Sequence, residues 1–167
     1  MAKSAEDILK EAILLERRGK AFYTTAARQT QSEAARKIFT MIADEEDEHI
    51  EFLSRQFAHY QKNHEFLTTE AHVDDDQEEI AMAVLSDEIK SQISAAGFEA
   101  AAISAAMDFE TRAVKIYSER AEKATDANEK AMYSMLADWE KGHHKWLHQI
   151  NEDLKEQIWQ DNNFWPF

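Results

Sequence analysis

Three glycines and one proline in 167 residues leave this chain little to turn with. Average usage is about 7% and about 5%. Sheets joined by tight turns depend on these residues for their backbone angles. A β-rich fold is therefore excluded, and the chain is expected to be nearly all helix with few breaks. Its length suits one domain. With 44% hydrophobic and 31% charged residues, the composition is that of a globular chain. Cysteine is absent, which removes disulfides, thiolate zinc sites, cysteine-ligated iron–sulfur centres and cysteine nucleophiles together. Lys and Arg number 19 against 33 Asp and Glu, a formal charge of −14. Nucleic acid and anionic membranes both need a basic face to bind, so neither is expected as a partner. The start, Met1 to Asp7, has no apolar signal-peptide core. No apolar run approaches the roughly 20 residues of a membrane helix. A soluble cytoplasmic protein is the default expectation.

Apolar periodicity divides the chain into four long helices. The first starts at Ser4, an N-cap with Asp7 three residues on, and carries Leu9, Ala12, Ile13, Tyr23 and Ala27 on one stripe. A loop at Gln29–Ser32 leads to the second, which is expected to run to about Phe66 with Ile38, Phe39, Ile42, Leu53 and Phe57 on one face. The third spans Phe98 to about Ala124, with Ile103, Met107, Val114 and Tyr117. A loop at Thr125–Asn128 precedes the fourth, which runs to about Trp159. Short loops make each pair an antiparallel hairpin. Residues 67–97 form a long crossover between helices 2 and 3, with an acidic helix start at Asp74–Asp76 and an accessory helix from Ile80 to Ile93. The result is an all-α four-helix bundle over residues 1–160, followed by an aromatic tail at 161–167 expected to dock on the bundle or on a second subunit.

The two hairpins are copies. Shifted by 94 residues, the halves align without gaps, pairing Ala12 with Ala106, Glu16 with Glu110, Tyr23 with Tyr117, Asp44 with Asp138, Glu46 with Glu140, His49 with His143 and Leu53 with Leu147. Any two amphipathic helices share apolar positions. They have no reason to share charges placed on apolar faces. Glu110 is the only charge among Ile103, Ala106, Met107, Ala113, Val114 and Tyr117. Glu16 sits likewise among Leu9, Ala12, Ile13, Gly19 and Tyr23, with Lys20 the one intruder. Glu46 and Glu140 lie between apolar residues in the same way.

A buried carboxylate costs several kcal/mol or takes up a proton. Four on converging stripes need a cation, either Arg or Lys or a metal. Glu46 with His49 and Glu140 with His143 are both Glu-x-x-His pairs, whose side chains leave the helix about 60° apart and reach one point. One such pair is weak evidence in so acidic a chain; two related by the repeat are stronger. Glu16 to Glu46 and Glu110 to Glu140 are both 30 residues, which puts the four glutamates in one layer of the bundle. Four carboxylates and two imidazoles suit iron or manganese better than structural zinc. Two divalent ions would neutralise the four negative charges.

These segments, Leu15–Tyr23, Ala43–His49, Asp108–Glu110 and Ala137–His143, resemble the ferritin-like di-iron carboxylate proteins and, among them, the rubrerythrin-related group. The resemblance covers residues 4–158. It implies a ferritin-like bundle holding two iron ions, with Mn or Zn as substitutes, on Glu16, Glu46, His49, Glu110, Glu140 and His143. Two of the glutamates would bridge the ions, Glu46 and Glu140 by type. Peroxide-reducing rubrerythrins usually add a carboxylate one turn after the helix-3 glutamate, where this chain has Ala113. They also usually carry a cysteine-rich rubredoxin domain, so electrons here would come from an external donor.

Around this set, Tyr23 and Tyr117 are candidate hydrogen-bond donors or radical relays, against the reading of plain core tyrosines. Asp44 and Asp138 are candidates to orient a ligand histidine through its other nitrogen, against a solvated acidic face. His59, His64, His72, His144 and His148 read as surface residues, and the four tryptophans as core or interface. The leading expectation is a non-haem di-iron oxidoreductase that reduces hydrogen peroxide or O₂, acting as a homodimer. The alternative is a ferroxidase that binds and oxidises ferrous iron for storage or transfer. A metal-free helical interaction module is a third reading, and it leaves four buried acids unexplained.

Overall fold

A computed structural model describes residues 3–70, 84–85, 87–93 and 97–161, with side chains to residue 156. Four long helices carry the chain: α1 (Ala5–Gln29), α2 (Glu33–Asn63), α3 (Phe98–Lys123) and α4 (Ala127–Asp161). No strand occurs among the described residues. Ser4 and Ser32 cap α1 and α2 as their positions predict, accepting from the backbone N–H of Asp7 and Ala35 at 3.1 Å each. Between these helices, Arg36 donates to the carbonyls of Ala27 at 3.3 Å and Thr30 at 3.0 Å. It thereby serves backbone acceptors that the end of a helix leaves without partners.

α4 starts at Ala127, inside the loop expected at Thr125–Asn128, and the end of α2 departs further from the sequence expectation. α2 stops at Asn63, not near Phe66, because His64 takes a left-handed conformation at φ 55°. The chain folds back, and the apolar Phe66 is buried by that reversal against Tyr60, ring centroids 4.8 Å apart. The buried Gln56 amide secures the reversal by bonding both backbone groups of Leu67, accepting at 3.0 Å and donating at 3.3 Å.

α1 packs on α2 and α3 on α4, and α1 meets α3. Residues 84–85 and 87–92 of the connection are helical, as expected there, and Leu85, Ile89 and Ile93 are buried at four-residue spacing. Gln92 accepts from Ser32 Oγ at 2.8 Å and from the Ala34 N–H at 3.2 Å. Lys90 pairs with Asp153 on α4 at 3.1 Å. The crossover is thus tied to the start of α2 and the end of α4. The acidic run 74–76 and the aromatic tail 162–167 lie outside the described residues. No helix among the described residues is long and apolar enough to cross a membrane.

The apolar core is in two parts. One joins Tyr23, Ile38, Phe39, Ile42, Ile89, Ile103, Ala106, Leu147 and Ile150. The other joins Leu9, Ala12, Leu53, Ala113, Tyr117, Met132, Tyr133 and Leu136. The 94-residue repeat exchanges them: Tyr23 and Leu147 of the first correspond to Tyr117 and Leu53 of the second. What lies between is a buried polar layer.

Candidate metal centre

That layer holds all six residues singled out by the repeat. Glu46 and Glu110 are 0% exposed, Glu16, Glu140 and His143 1%, and His49 5%. Each helix contributes because its apolar stripe must face inward, and the acid on that stripe is carried in with it. Glu16 comes from α1, Glu46 and His49 from α2, Glu110 from α3, and Glu140 and His143 from α4.

Two overlapping groups result. Glu16, Glu46, His49 and Glu140 each bring one ligand atom to within 4.8 Å of the others, and so do Glu46, Glu110, Glu140 and His143. Glu46 and Glu140 belong to both. Both histidines turn Nδ1 inward. His49 Nδ1 lies 3.0 Å from Glu16 Oε2 and 3.2 Å from Glu140 Oε1. His143 Nδ1 lies 3.6 Å from Glu140 Oε2, 3.7 Å from Glu110 Oε1 and 3.9 Å from Glu46 Oε1.

The donor set fits a pair of metal ions. Both oxygens of Glu46, both of Glu140, Glu110 Oε2 and His143 Nδ1 are buried with no hydrogen-bond partner. Folded proteins leave few such atoms, and these six in one layer are open to coordination by a cation. Among the described residues the basic side chains paired with the four carboxylates are His49 and His143, with no lysine or arginine. Lys20, the intruder on the first stripe, points out to Asp47 at 2.5 Å. Room for Glu46 comes from Gly19. A Cβ there would stand 2.8 Å from Glu46 Oε1 and 3.0 Å from Phe109 Cε1. Oxygen-rich ligation with two imidazoles and no thiolate suits iron or manganese.

Protons manage the crowded charge in the protein alone. Burial pushes Glu46 well above the carboxylate range, and the charges of Glu140 and Glu16 add to this. Burial likewise drives Glu110 up to about 8, although His143 works against it. Burial opposes charging His49, yet the adjacent Glu140 and Glu16 carboxylates raise it to about 9. His143 is raised against burial by Glu110, Glu140 and Glu45. Glu140, which lies within 3.6 Å of both imidazoles, is held well below the carboxylate range by His143 and His49 despite its burial.

The tyrosines act as donors across the bundle. Tyr23 of α1 donates to Glu110 of α3, and Tyr117 of α3 donates to Glu16 of α1. These crossed bonds show that α1 and α3 run antiparallel. Burial and the adjacent carboxylate, Glu110 or Glu16, raise each phenol well above its ordinary range, so both keep the proton they donate.

Asp44 and Asp138 do not orient the histidines. Both face solvent, and Asp138 pairs with Lys141 at 2.7 Å. The acid that reaches an imidazole from outside is Glu45, whose Oε2 accepts from His143 Nε2 at 2.7 Å. Trp139, read as core or interface, stacks on His49 with centroids 4.6 Å apart and planes 11° off parallel. Periodicity missed both because each lies one step off its stripe. The signal that could have found them is their place directly before the two motif glutamates. His64 and His148 are exposed, and His59 and His144 are half-buried, none of them in the layer; His72 is outside the described residues. Ala113 is buried and brings a methyl, not a carboxylate.

The family model described as Rubrerythrin matches residues 7–97. No curated protein and no solved structure matches the chain. The matched span carries Glu16, Glu46 and His49, and the repeat supplies Glu110, Glu140 and His143 from the remaining half. With more than half of the chain under that match, and an all-α ferritin-like bundle around the buried Glu and His groups, the chain belongs to the rubrerythrin family.

Proposed function

We propose that this protein is a di-iron oxidoreductase that reduces hydrogen peroxide or O₂ with electrons from an external donor. The observation that carries the reading is the sharing of Glu46 and Glu140 between two four-residue groups, the arrangement expected of carboxylates that bridge two ions. Two iron ions, when bound, supply the two electrons that reduction of peroxide to water requires. Glu16 and His49 would hold one ion, and Glu110 and His143 the other. Tyr23 and Tyr117 fix the Glu110 and Glu16 carboxylates by hydrogen bonds from the opposite helix, so that the outer ligands stay placed as charge changes between them. The two core clusters above and below the layer exclude bulk water. This strengthens the electrostatic hold on the ions. A retained phenolic proton on each tyrosine keeps a donor aimed into the layer.

Ala113 favours keeping ferroxidase activity as the second reading, since the position offers no further carboxylate to the site. Metal analysis of protein loaded anaerobically with ferrous iron should give two ions per chain; well under one removes both readings. Rapid mixing of the loaded protein then decides between them. Oxidation much faster with peroxide than with O₂ supports peroxide reduction. Fast reaction with O₂ followed by release of ferric iron supports iron handling.

A further inference from the structure

The repeat that makes the two halves of the centre alike breaks where residues 45 and 139 touch the imidazoles, and more weakly where Trp146, in place of Phe52, meets His143 with centroids 5.9 Å apart. Residues 45 and 139 are 94 apart, and each immediately precedes its motif glutamate. Glu45 crosses from α2 to His143 on α4, while Trp139 crosses from α4 to His49 on α2. The first contact is a hydrogen bond of 2.7 Å from Nε2 to a carboxylate whose side chain is 25% exposed. The second is a ring stack of 4.6 Å. An indole has an N–H to donate and no acceptor, so Trp139 cannot accept from His49 the bond that Glu45 accepts from His143.

These contacts act differently on a ligand. A carboxylate on the outer nitrogen keeps the proton on Nε2, leaves the Nδ1 lone pair free to face the layer, and makes the ring a stronger donor. A stacked indole holds the plane of the ring and does neither. The flanking shared glutamates are common to both positions, so the difference between Glu45 and Trp139 is not averaged away.

Resting on the reading of the layer as a two-metal centre, we propose that Glu45 makes the two positions unequal. The ion held by Glu110 and His143 binds more tightly than the ion held by Glu16 and His49, and Glu45 is the positioning residue responsible.

The experiment adds Co²⁺ stepwise to the metal-free full-length protein, following heat and visible absorption. Trp139 emission, taken as the difference from W139F, reports filling of the His49 position. The wild type should bind two ions in separate steps, with Trp139 quenched mainly in the second. E45A should weaken the tighter step by about 10–100-fold, the usual effect of removing an outer partner of a metal ligand, and leave the weaker step in place. E45Q keeps the shape and an acceptor without the charge, and should fall between E45A and wild type. In the Co²⁺-loaded wild type, the exchangeable Nε2–H proton of His143 should exchange with solvent slowly, and in E45A rapidly. Helical content by circular dichroism shows that the variants fold. Binding of two ions with one shared affinity, quenching of Trp139 in the first step, or an E45A protein with both steps unchanged or equally weakened overturns the inference and leaves the two-metal reading standing. Failure of the wild type to bind two ions sinks that reading and the inference with it.

Discussion

Gly19→Ala separates the fold from the centre within it. The added methyl would stand 2.8 Å from Glu46 Oε1, 2.9 Å from its Cδ and 3.0 Å from Phe109 Cε1. Something must move, and the free end of the Glu46 side chain moves most easily. For the metal-free protein, two effects oppose. Alanine inside a helix is favoured over glycine by about 1 kcal/mol, and overpacking costs about 1–3 kcal/mol. The net change is about 0–2 kcal/mol of destabilisation. The repeat-equivalent position is the buried Ala113, so a methyl there is compatible with this bundle. Metal binding has no such offset, because Glu46 belongs to both four-residue groups. A tenfold loss of affinity removes about 1.4 kcal/mol of metal-dependent stabilisation per ion. For a chain of this size, that is about 3–6 °C per ion. The assay is thermal unfolding of wild type and variant, each with excess Co²⁺ and with chelator. The reasoning is refuted if the variant keeps the full metal-dependent rise in Tm, or if the chelated variant loses more than about 3 kcal/mol while the metal increment stays whole.

Two further outcomes follow from the same layer. Tyr23→Phe and Tyr117→Phe each strip the donor from a buried carboxylate, so each should destabilise the metal-free protein by about 1–3 kcal/mol. Because the repeat makes the two bonds equivalent, denaturant unfolding should give the pair similar losses, and one neutral variant beside one costly one would contradict the symmetry. The metal-free protein should lose stability as pH rises. Glu110 at about 8 and His49 at about 9 sit above their ordinary values of 4.5 and 6.5. Their stabilisation is therefore complete below those ordinary values and fades between about pH 4.5 and 9. Glu140, lowered, has the opposite sign but acts only below about pH 4.5. Metal competes for the same sites, so the metal-dependent rise in Tm should grow over this range; a rise that shrinks with pH would count against ligation by these residues.

Much of the centre was legible because burying a charge is so unfavourable that its position on an apolar stripe is informative. Glu16, Glu46, Glu110 and Glu140 could be found by period alone, and the equal 30-residue spacings placed them in one layer. The crossed tyrosine bonds were only half legible. Spacing put Tyr23 and Tyr117 near the layer, but the partner of each lies on the other hairpin. Asp44 and Asp138 show the limit. Two residues before an inward-facing acid is about 160° round the helix from the inward stripe, and those side chains went to water.

Local chemistry along the chain settled the helices, their caps and the six inward-facing donors, since each depends on neighbours within a turn or two. Tertiary packing alone decided that Glu45 meets His143, that Trp139 covers His49, that Gln56 holds Leu67 after the reversal at His64, and that Gly19 leaves room for Glu46. Those contacts join residues on different helices or beyond a chain reversal, and their distances are set by how the helices pack, which no periodicity encodes.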